Sequence, residues 1–475
     1  MQYSIVQSSE KEPISLRIDA EFYSPIFLRT EKLLKQAKWD YLENLTVSIK
    51  SFGAYSLCNQ VEYFEKGIPF LRCKDIKGGL IDFSNVLFID SDANKLLWKS
   101  EVKPKTVLFT MSGTVGNTAI ASEDLGYPIN SNQDIAKITT NEKLNPYYFS
   151  IFLQSAYGKQ QISRLPIGSV QHHIFLWQIE KIIVPLFVDG FQSKIEGLFK
   201  LALYLQKISK SVFKEGESLL LDELGLINWQ PKHQLTFIKN YSDTQQAERI
   251  DAEYYQPKYD EIISAIKSYS GGWDTLNNLV NLKDQNYNPI SVNEYNYIEL
   301  SNISGNGEIT GCTTECGDDL PSRARRKVKE RDVIVSSIEG SLSSIALVGK
   351  EYNNALCSTG FYVINSGFFN SEALLVLMKS VAGQMLLKKG CNGTILTAIN
   401  KDDFLSIPLP KLRQEKQQEI QRKVNESFNL REQSKQLLES AKKAVEMAIE
   451  QDEQTAIDWL KVQTKSIGVI DANGL

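Results

Sequence analysis

Hydrophobic and polar positions fall into three patterns along this chain, and the three recur in the same order. Short apolar runs, Val107-Leu108-Phe109 and Val333-Ile334-Val335, lie among turn-forming GG, SG, GN and NG pairs and predict buried strands. Patches at about 146–160 and 371–389 predict helices. A Gly-Ser or Gly-Thr loop follows each patch, then a strand that runs into Pro-Leu (Val184-Pro185-Leu186 and Ile407-Pro408-Leu409). Beyond each Pro-Leu the period lengthens. Phe191, Ile195, Leu198, Ala202, Leu205, Ser209, Val212, Gly216 and Leu219 advance in steps of four and three, as do Ile420, Val424, Ser427, Arg431, Ser434, Leu438, Ala441, Val445 and Ala448. That heptad spacing seals one helix against another and predicts helices over about 189–224 and 411–455. At ~1.5 Å per residue the second would be roughly 60 Å long, too long to bury its stripe in a compact domain. The first helix is its natural partner. A helical lead-in at about 17–37 and at about 250–268 opens each half.

The recurrence is a duplication of sequence as well as of pattern. RIDAEFYSP (17–25) and RIDAEYYQP (249–257) agree at seven of nine positions. WDYLENL (39–45) answers WDTLNNL (273–279), and VKPKTVLF (102–109) answers VKERDVIV (328–335). The repeat is a whole half-chain, far longer than a solenoid unit of roughly 20–50 residues. The expected fold is mixed α+β. Two globular domains related by a pseudo-two-fold are joined by two long antiparallel, coiled-coil-like spacer helices. The expected boundaries are 1–188 for the first domain, 189–228 for the central helix region, 229–410 for the second domain, 411–460 for the C-terminal helix and 461–475 for a tail. Two similar surfaces suit a ligand with two similar, separable sites, and DNA is the leading example. Helix length would then act as a ruler, since one turn of B-DNA is about 34 Å.

Composition narrows the partners. Hydrophobic content of 42% and charge of 23% are ordinary for a globular protein. No segment approaches the length needed to span a bilayer, and the opening MQYSIVQSSEKEP has no apolar run. The six cysteines do not align between the halves, so a reduced, cytoplasmic chain without a disulfide framework is expected. A net charge of −4 argues against binding nucleic acid alone and without specificity, and leaves room for partners that supply phosphate contacts.

Catalytic chemistry has little to draw on. Of three histidines, His172 and His173 are adjacent and unmatched in the second half, where Thr397-Ala398 falls; they read as polar loop residues with a share for base contact. Cys312 and Cys316 have no second pair to complete a zinc site and read as free thiols. Neither a Walker A loop nor a GxGxxG after a strand is present. Asn145-Pro146-Tyr147-Tyr148 lacks the second proline of the amino-methyltransferase motif it superficially resembles. No catalytic residue, metal ligand or cofactor site is expected in this chain.

Candidate DNA contacts lie at matching places in the two halves. Arg323, Arg325, Arg326, Lys327, Lys329 and Arg331 crowd the residues before Val333, and Lys95, Lys99, Lys103 and Lys105 form a thinner group before Val107. Such clusters suit phosphates. The polar stretches that follow hold Ser112, Thr114 and Asn117 in one half and Ser337, Ser341 and Ser343 in the other, with glycines that let backbone approach a surface closely. The GSVQHH loop (168–173) supplies Ser169, Gln171 and His172 after Arg164. The GTILTA loop (393–398) supplies Thr394 after Lys388, Lys389 and Asn392. These loops are matched in position and different in chemistry, as expected of two domains that read two different base sequences. A solvated turn face is the plain alternative for each cluster.

The order of these parts resembles the specificity subunit of type I restriction–modification enzymes over essentially the whole chain. The resemblance rests on the two-fold repeat, the Ser-Gly-Thr-Val-Gly-Asn-Thr-Ala-Ile run (112–120), the Gly-Ser and Gly-Thr loops, and the Val-Pro-Leu and Ile-Pro-Leu-Pro exits into long helices. The second half departs from it at Ile338-Glu339-Gly340. The resemblance implies two target recognition domains, a bipartite target in double-stranded DNA with an unread spacer, and a non-catalytic role. It also implies two methyltransferase subunits using S-adenosylmethionine on adenine, and translocase–nuclease subunits driven by ATP with magnesium. The near-identical RIDAE segments, with Arg17, Asp19, Tyr23, Arg249, Asp251 and Tyr255, and the spacer helices are expected docking places for two copies of one partner. Two other classes stand beside this reading: a coiled-coil scaffold that binds no DNA, and a methyltransferase or nuclease with unfamiliar motifs.

Overall fold

The apolar run Val107–Thr110 forms a strand with every residue buried, and so does its counterpart Val333–Ser336. Around each of them the computed structural model, which describes residues 17, 19–52, 60–167, 172–393 and 397–468, builds the same sheet. The chain divides into two units, Met1–Leu205 with Glu432–Leu475 and Gln206–Arg431. In unit 1 four antiparallel strands lie in the order Thr46–Lys50, Ile135–Thr140, Val107–Thr110, Thr118–Ile120. In unit 2 the order is Asn281–Lys283, Phe361–Asn365, Val333–Ser336, Ile345–Leu347. A small ladder joins the Trp-Asp element to the Pro-Leu exit in each unit: Trp39–Tyr41 with Ile183–Pro185, and Trp273–Thr275 with Pro408–Pro410. Ahead of each central strand a non-glycine residue turns the chain in the left-handed region, Lys105 (φ 63°) and Arg331 (φ 68°). Their amides donate to Ala121 and Val348 carbonyls at 2.7 and 2.9 Å.

A helix pair covers each sheet. Pro146–Gln154 and Ser371–Lys379 start on asparagine caps, Asn145 and Asn370, whose side chains accept free helix N–H groups. Ala156–Arg164 and Val381–Gly390 follow, restarted by Ser155 and Ser380, whose hydroxyls accept from Gly158 and Gly383 amides at 3.2 Å in each case. Those two glycines lie against backbone of the preceding helix, where any Cβ would collide.

A second sheet differs between the units. In unit 1 it has three strands, Leu87–Ile89, Ile68–Leu71 and Asn130–Ser131. In unit 2 the corresponding strands, Thr313–Cys316, Glu294–Ile298 and Leu356–Ser358, gain a fourth, Ala324–Lys327. That added strand carries the basic cluster. In the order of the repeat, unit 1 has the short turn Trp98–Ser100 there, with Trp98 exposed.

The heptad stripes form the helices expected of them, Asp189–Glu223 and Gln414–Glu450. In unit 1 Phe191, Ile195, Leu198 and Ala202 are buried with Leu438, Ala441, Val445 and Ala448. In unit 2 Phe213 and Leu220 are buried with Ile420 and Val424. The segments run antiparallel within each unit, and small polar residues meet between them. Ser434 Oγ donates to the Ala202 carbonyl at 2.7 Å in unit 1. In unit 2 Ser427 Oγ donates to the Ser209 carbonyl at 2.8 Å.

Two elements differ from the sequence expectation. The lead-in helices begin only at Pro25 and Pro257, because Asp19 and Asp251 hold the preceding residues in a turn. The C-terminal helix ends at Glu450, and a separate helix, Glu453–Ser466, capped by Asp452, packs Ala456 and Leu460 into unit 1. Among the described residues no helix is long and apolar enough to cross a membrane.

Candidate nucleic-acid interface

The repeated RIDAE segment turns out to be an internal clasp. Arg17 Nε donates to Asp19 at 2.7 Å, and Arg249 Nε donates to Asp251 at 2.8 Å. Each aspartate accepts a backbone N–H three residues on, from Phe22 or Tyr254. The arginine ends reach the carbonyls that close a helix: Arg164, Leu165 and Pro166 for Arg17, and Lys389, Gly390 and Cys391 for Arg249. Cations there also complement the negative helix terminus. Each guanidinium lies over the ring of residue 22 or 254, at 4.6 and 4.4 Å. Tyr23 and Tyr255 are buried, with the Tyr255 hydroxyl donating to the Arg249 carbonyl at 2.8 Å. The near-identity of the two segments therefore has a structural cause within each unit. It needs no shared partner to explain it.

The same clasp removes two candidates from a phosphate role. Arg164 stacks on Phe22 at 4.0 Å, donates to the Phe22 carbonyl and pairs with Glu31 at 2.7 Å. Its counterpart Lys389 sits 3.2 Å from the Tyr254 ring centre, and burial pushes its ammonium down to about 8. Lys388 beside it is half-buried.

Beside each clasp the chain closes back on itself. In unit 1 Ile167 and His173 exchange both backbone hydrogen bonds, at 3.0 and 3.1 Å, and so close the loop that contains Ser169 and Gln171. In unit 2 Cys391–Asn392 pairs with Ala398–Ile399 and closes the loop that contains Thr394. Ser169, Gln171 and Thr394 lie outside the described residues. His172 and Asn392, at the bases of the two loops, are exposed, and the His173 ring packs on Phe175 with centroids 4.6 Å apart. In unit 1 Arg17, Asn117, Arg164 and His172 share the lining of one cavity of about 520 Å³, with Phe22, Phe27 and Ile162 as its apolar wall.

The polar stretch after each central strand is mostly tied inward. Ser112 is buried. Thr114 Oγ1 donates to the Cys73 carbonyl and Asn117 Nδ2 to the Ile76 carbonyl, at 3.2 and 3.0 Å. Ser337 donates to Gly360 and Ser341 to Ile338. Ser343 is exposed at its side chain, while its carbonyl accepts from buried Lys379 at 2.7 Å.

The basic cluster divides by side chain. Arg326 pairs with Asp284 at 2.9 Å at only 15% exposure, and Arg331 pairs with buried Glu372 at 2.8 Å, so both stabilise unit 2. Arg323 and Lys327 are exposed, with Lys327 Nζ 4.8 Å from the Tyr287 ring. Arg325 is half-buried and donates to Asn288 Oδ1 at 3.2 Å. Sequence reading missed Asn288, which lies 37 residues before Arg325, and Tyr287, which lies farther still from Lys327; only the strand pairing brings them together. The thinner cluster of unit 1 is weaker still, with Lys103 paired to Glu101 and Lys105 to Glu123. Cys312 and Cys316 are free thiols, and no group of three or more metal-ligating side chains occurs among the described residues.

No protein-family model matches the chain, and no curated protein matches it. It is similar to the solved type I restriction-modification system S subunit from M. genitalium, at 12% identity and a TM-score of 0.35, over 88% of this chain and 95% of that one. It is also similar to the HsdS subunit from Thermoanaerobacter tengcongensis, at 15% identity and a TM-score of 0.27, over 89% and 95%. A chain from a structural study of type I R-M complex assembly and conformational transition stands at 14%, 0.27, 89% and 96%. Two of these solved structures are S subunits of type I restriction–modification systems, the family that the sequence of this chain resembles.

Proposed function

We propose that the chain is the DNA-specificity subunit of a type I restriction–modification complex, a recognition protein that catalyses nothing itself. Each unit reads one part of a bipartite target in double-stranded DNA. The long helices set the unread spacer, and methyltransferase subunits that use S-adenosylmethionine dock on the assembly, joined in a full system by ATP- and magnesium-dependent translocase–nuclease subunits. One observation carries this reading. Two units with one strand order bring the chain back on itself at the same place, at Ile167/His173 and at Asn392/Ala398, and the sequence between the paired residues differs. A frame held constant while its loop chemistry diverges is the arrangement expected of two readers of different base sequences. The clasp arginines leave the docking of partner subunits to other surfaces, such as the outer faces of the long helices.

Methylation sequencing of host DNA, with this gene intact and deleted, tests the reading. Loss of one bipartite methyl-adenine motif on deletion supports it. An unchanged methylome overturns it and favours a scaffold that binds no DNA.

A further inference from the structure

In unit 2 the strand Ala324–Lys327 and the loop that runs beside it, residues 285–293, form a surface rich in hydrogen-bond donors. The loop is held in shape from within. The Tyr287 N–H donates to the Arg325 carbonyl at 2.7 Å. The Tyr287 ring packs 5.9 Å from Tyr295, whose hydroxyl accepts the Ile290 N–H at 3.0 Å. Pro289 fixes the backbone just after Asn288. The side chains facing outward are Gln285, Asn286 and Asn288, all exposed.

Arg325 and Asn288 act as one group. Arg325 Nε donates to the Ser322 carbonyl and one Nη1–H to Asn288 Oδ1, both at 3.2 Å. A guanidinium has five N–H donors, so three stay available. Asn288, its carbonyl oxygen engaged, offers its two amide N–H groups. The pair therefore presents five free N–H donors against one remaining lone pair on Asn288 Oδ1, pre-oriented and flanked by the exposed Lys327. In the major groove, guanine is the base that shows two acceptors, N7 and O6, on one edge.

We propose that the Arg325–Asn288 pair reads a guanine in the part of the target recognised by unit 2; this rests on the function proposed above. Among the described residues unit 1 has no such strand, since the turn Trp98–Ser100 takes its place in the repeat. The pair accordingly belongs to one half of the target alone.

The test compares methylation motifs in host strains carrying the wild-type gene, Asn288→Ala, Arg325→Ala or Arg325→Gln, each with its natural partner subunits. Asn288 is exposed and Arg325 half-buried, so the melting temperature of each variant is measured alongside to show that it folds. The expected result is degeneracy at one guanine position in one half of the motif, with discrimination there falling on the order of ten-fold or more, and the other half read as before. A guanine still read in all three variants overturns the proposal. So does loss of both halves together, which would make the pair a general affinity or folding element. If deleting the wild-type gene removes no motif, the specificity role itself fails and this inference falls with it.

Discussion

Two buried glutamines decide how firmly each long helix is tied to its own sheet unit. In unit 2 Gln417 is 1% exposed. Its Oε1 accepts the Asn370 N–H at 3.0 Å and its Nε2 donates to the Leu412 carbonyl at 2.9 Å. In unit 1 Gln192 makes the same two bonds, to the Asn145 N–H and the Phe187 carbonyl, both at 2.9 Å. Gln417→Met keeps the length of the side chain and removes both bonds, while the Asn370 Nδ2 bond to the backbone carbonyl of residue 417 survives. Leaving a buried donor and a buried acceptor unpaired costs ~1–3 kcal/mol each, and better burial of the thioether returns part of it. The expected net loss is about 2–4 kcal/mol, confined to unit 2. Hydrogen exchange reads it locally. Amides of Ser371–Lys379 should exchange roughly 30- to 1000-fold faster, since every 1.4 kcal/mol is about ten-fold. Amides of Pro146–Gln154 should not change. Gln192→Met should produce the mirror result. A loss below about 0.5 kcal/mol, or one spread equally over both units, would refute the argument that these glutamines fasten each helix to its own unit.

Three further outcomes are expected. Arg323→Ala and Lys327→Ala should each lower the slope of log affinity for DNA against log salt by about 0.9, whereas Arg326→Ala, held by Asp284, should reduce unit 2 stability; equal slopes in all three would remove the strand from the DNA surface. Lys389 has its folded pKa pushed down to about 8 by burial, so between there and its ordinary 10.5 the unfolded chain binds more protons and stability climbs with pH. Lys389→Met should reduce that climb and leave the part due to buried Lys379, which is likewise pushed down to about 8, as checked by denaturant unfolding at several pH values. Seven residues added to each long helix, after Leu205 and after Arg431, extend the pair by about 10 Å, or about three base pairs. Methylation sequencing should then show the unread spacer lengthened by about three with both read parts kept; altered read bases would sink the ruler.

Much of this was legible because burial repeats at a fixed period. The stripe from Phe191 to Ala202, and the all-apolar strand at Val107, declare themselves through spacing alone. The glutamines did not. One polar residue in a helical stripe looks like an interruption, and only the carbonyl it meets explains it. The RIDAE segments were legible as a repeat and not as a contact. Their identity is conspicuous and suggests a common partner, yet Arg17 and Arg249 close helix ends roughly 140 residues away, a contact that no local pattern carries. The Arg325–Asn288 surface was half visible: Arg325 stood out by charge, but its opposition to Asn288 depends on a strand that the described residues of unit 1 lack.

The serines between the long helices have a consequence for how such a protein can change. A hydroxyl donating to a particular backbone carbonyl, as Ser427 does to residue 209 and Ser434 to residue 202, tolerates no gradual sliding. A shift of one residue would carry the hydroxyl off the seam and leave it unpaired in an apolar interface. Lengths compatible with the interface are therefore discrete, separated by whole repeats of the helix. Variation in helix length should arise as insertions or deletions of complete turns, and the distance between the two read parts of a target should step rather than drift among variants of this chain.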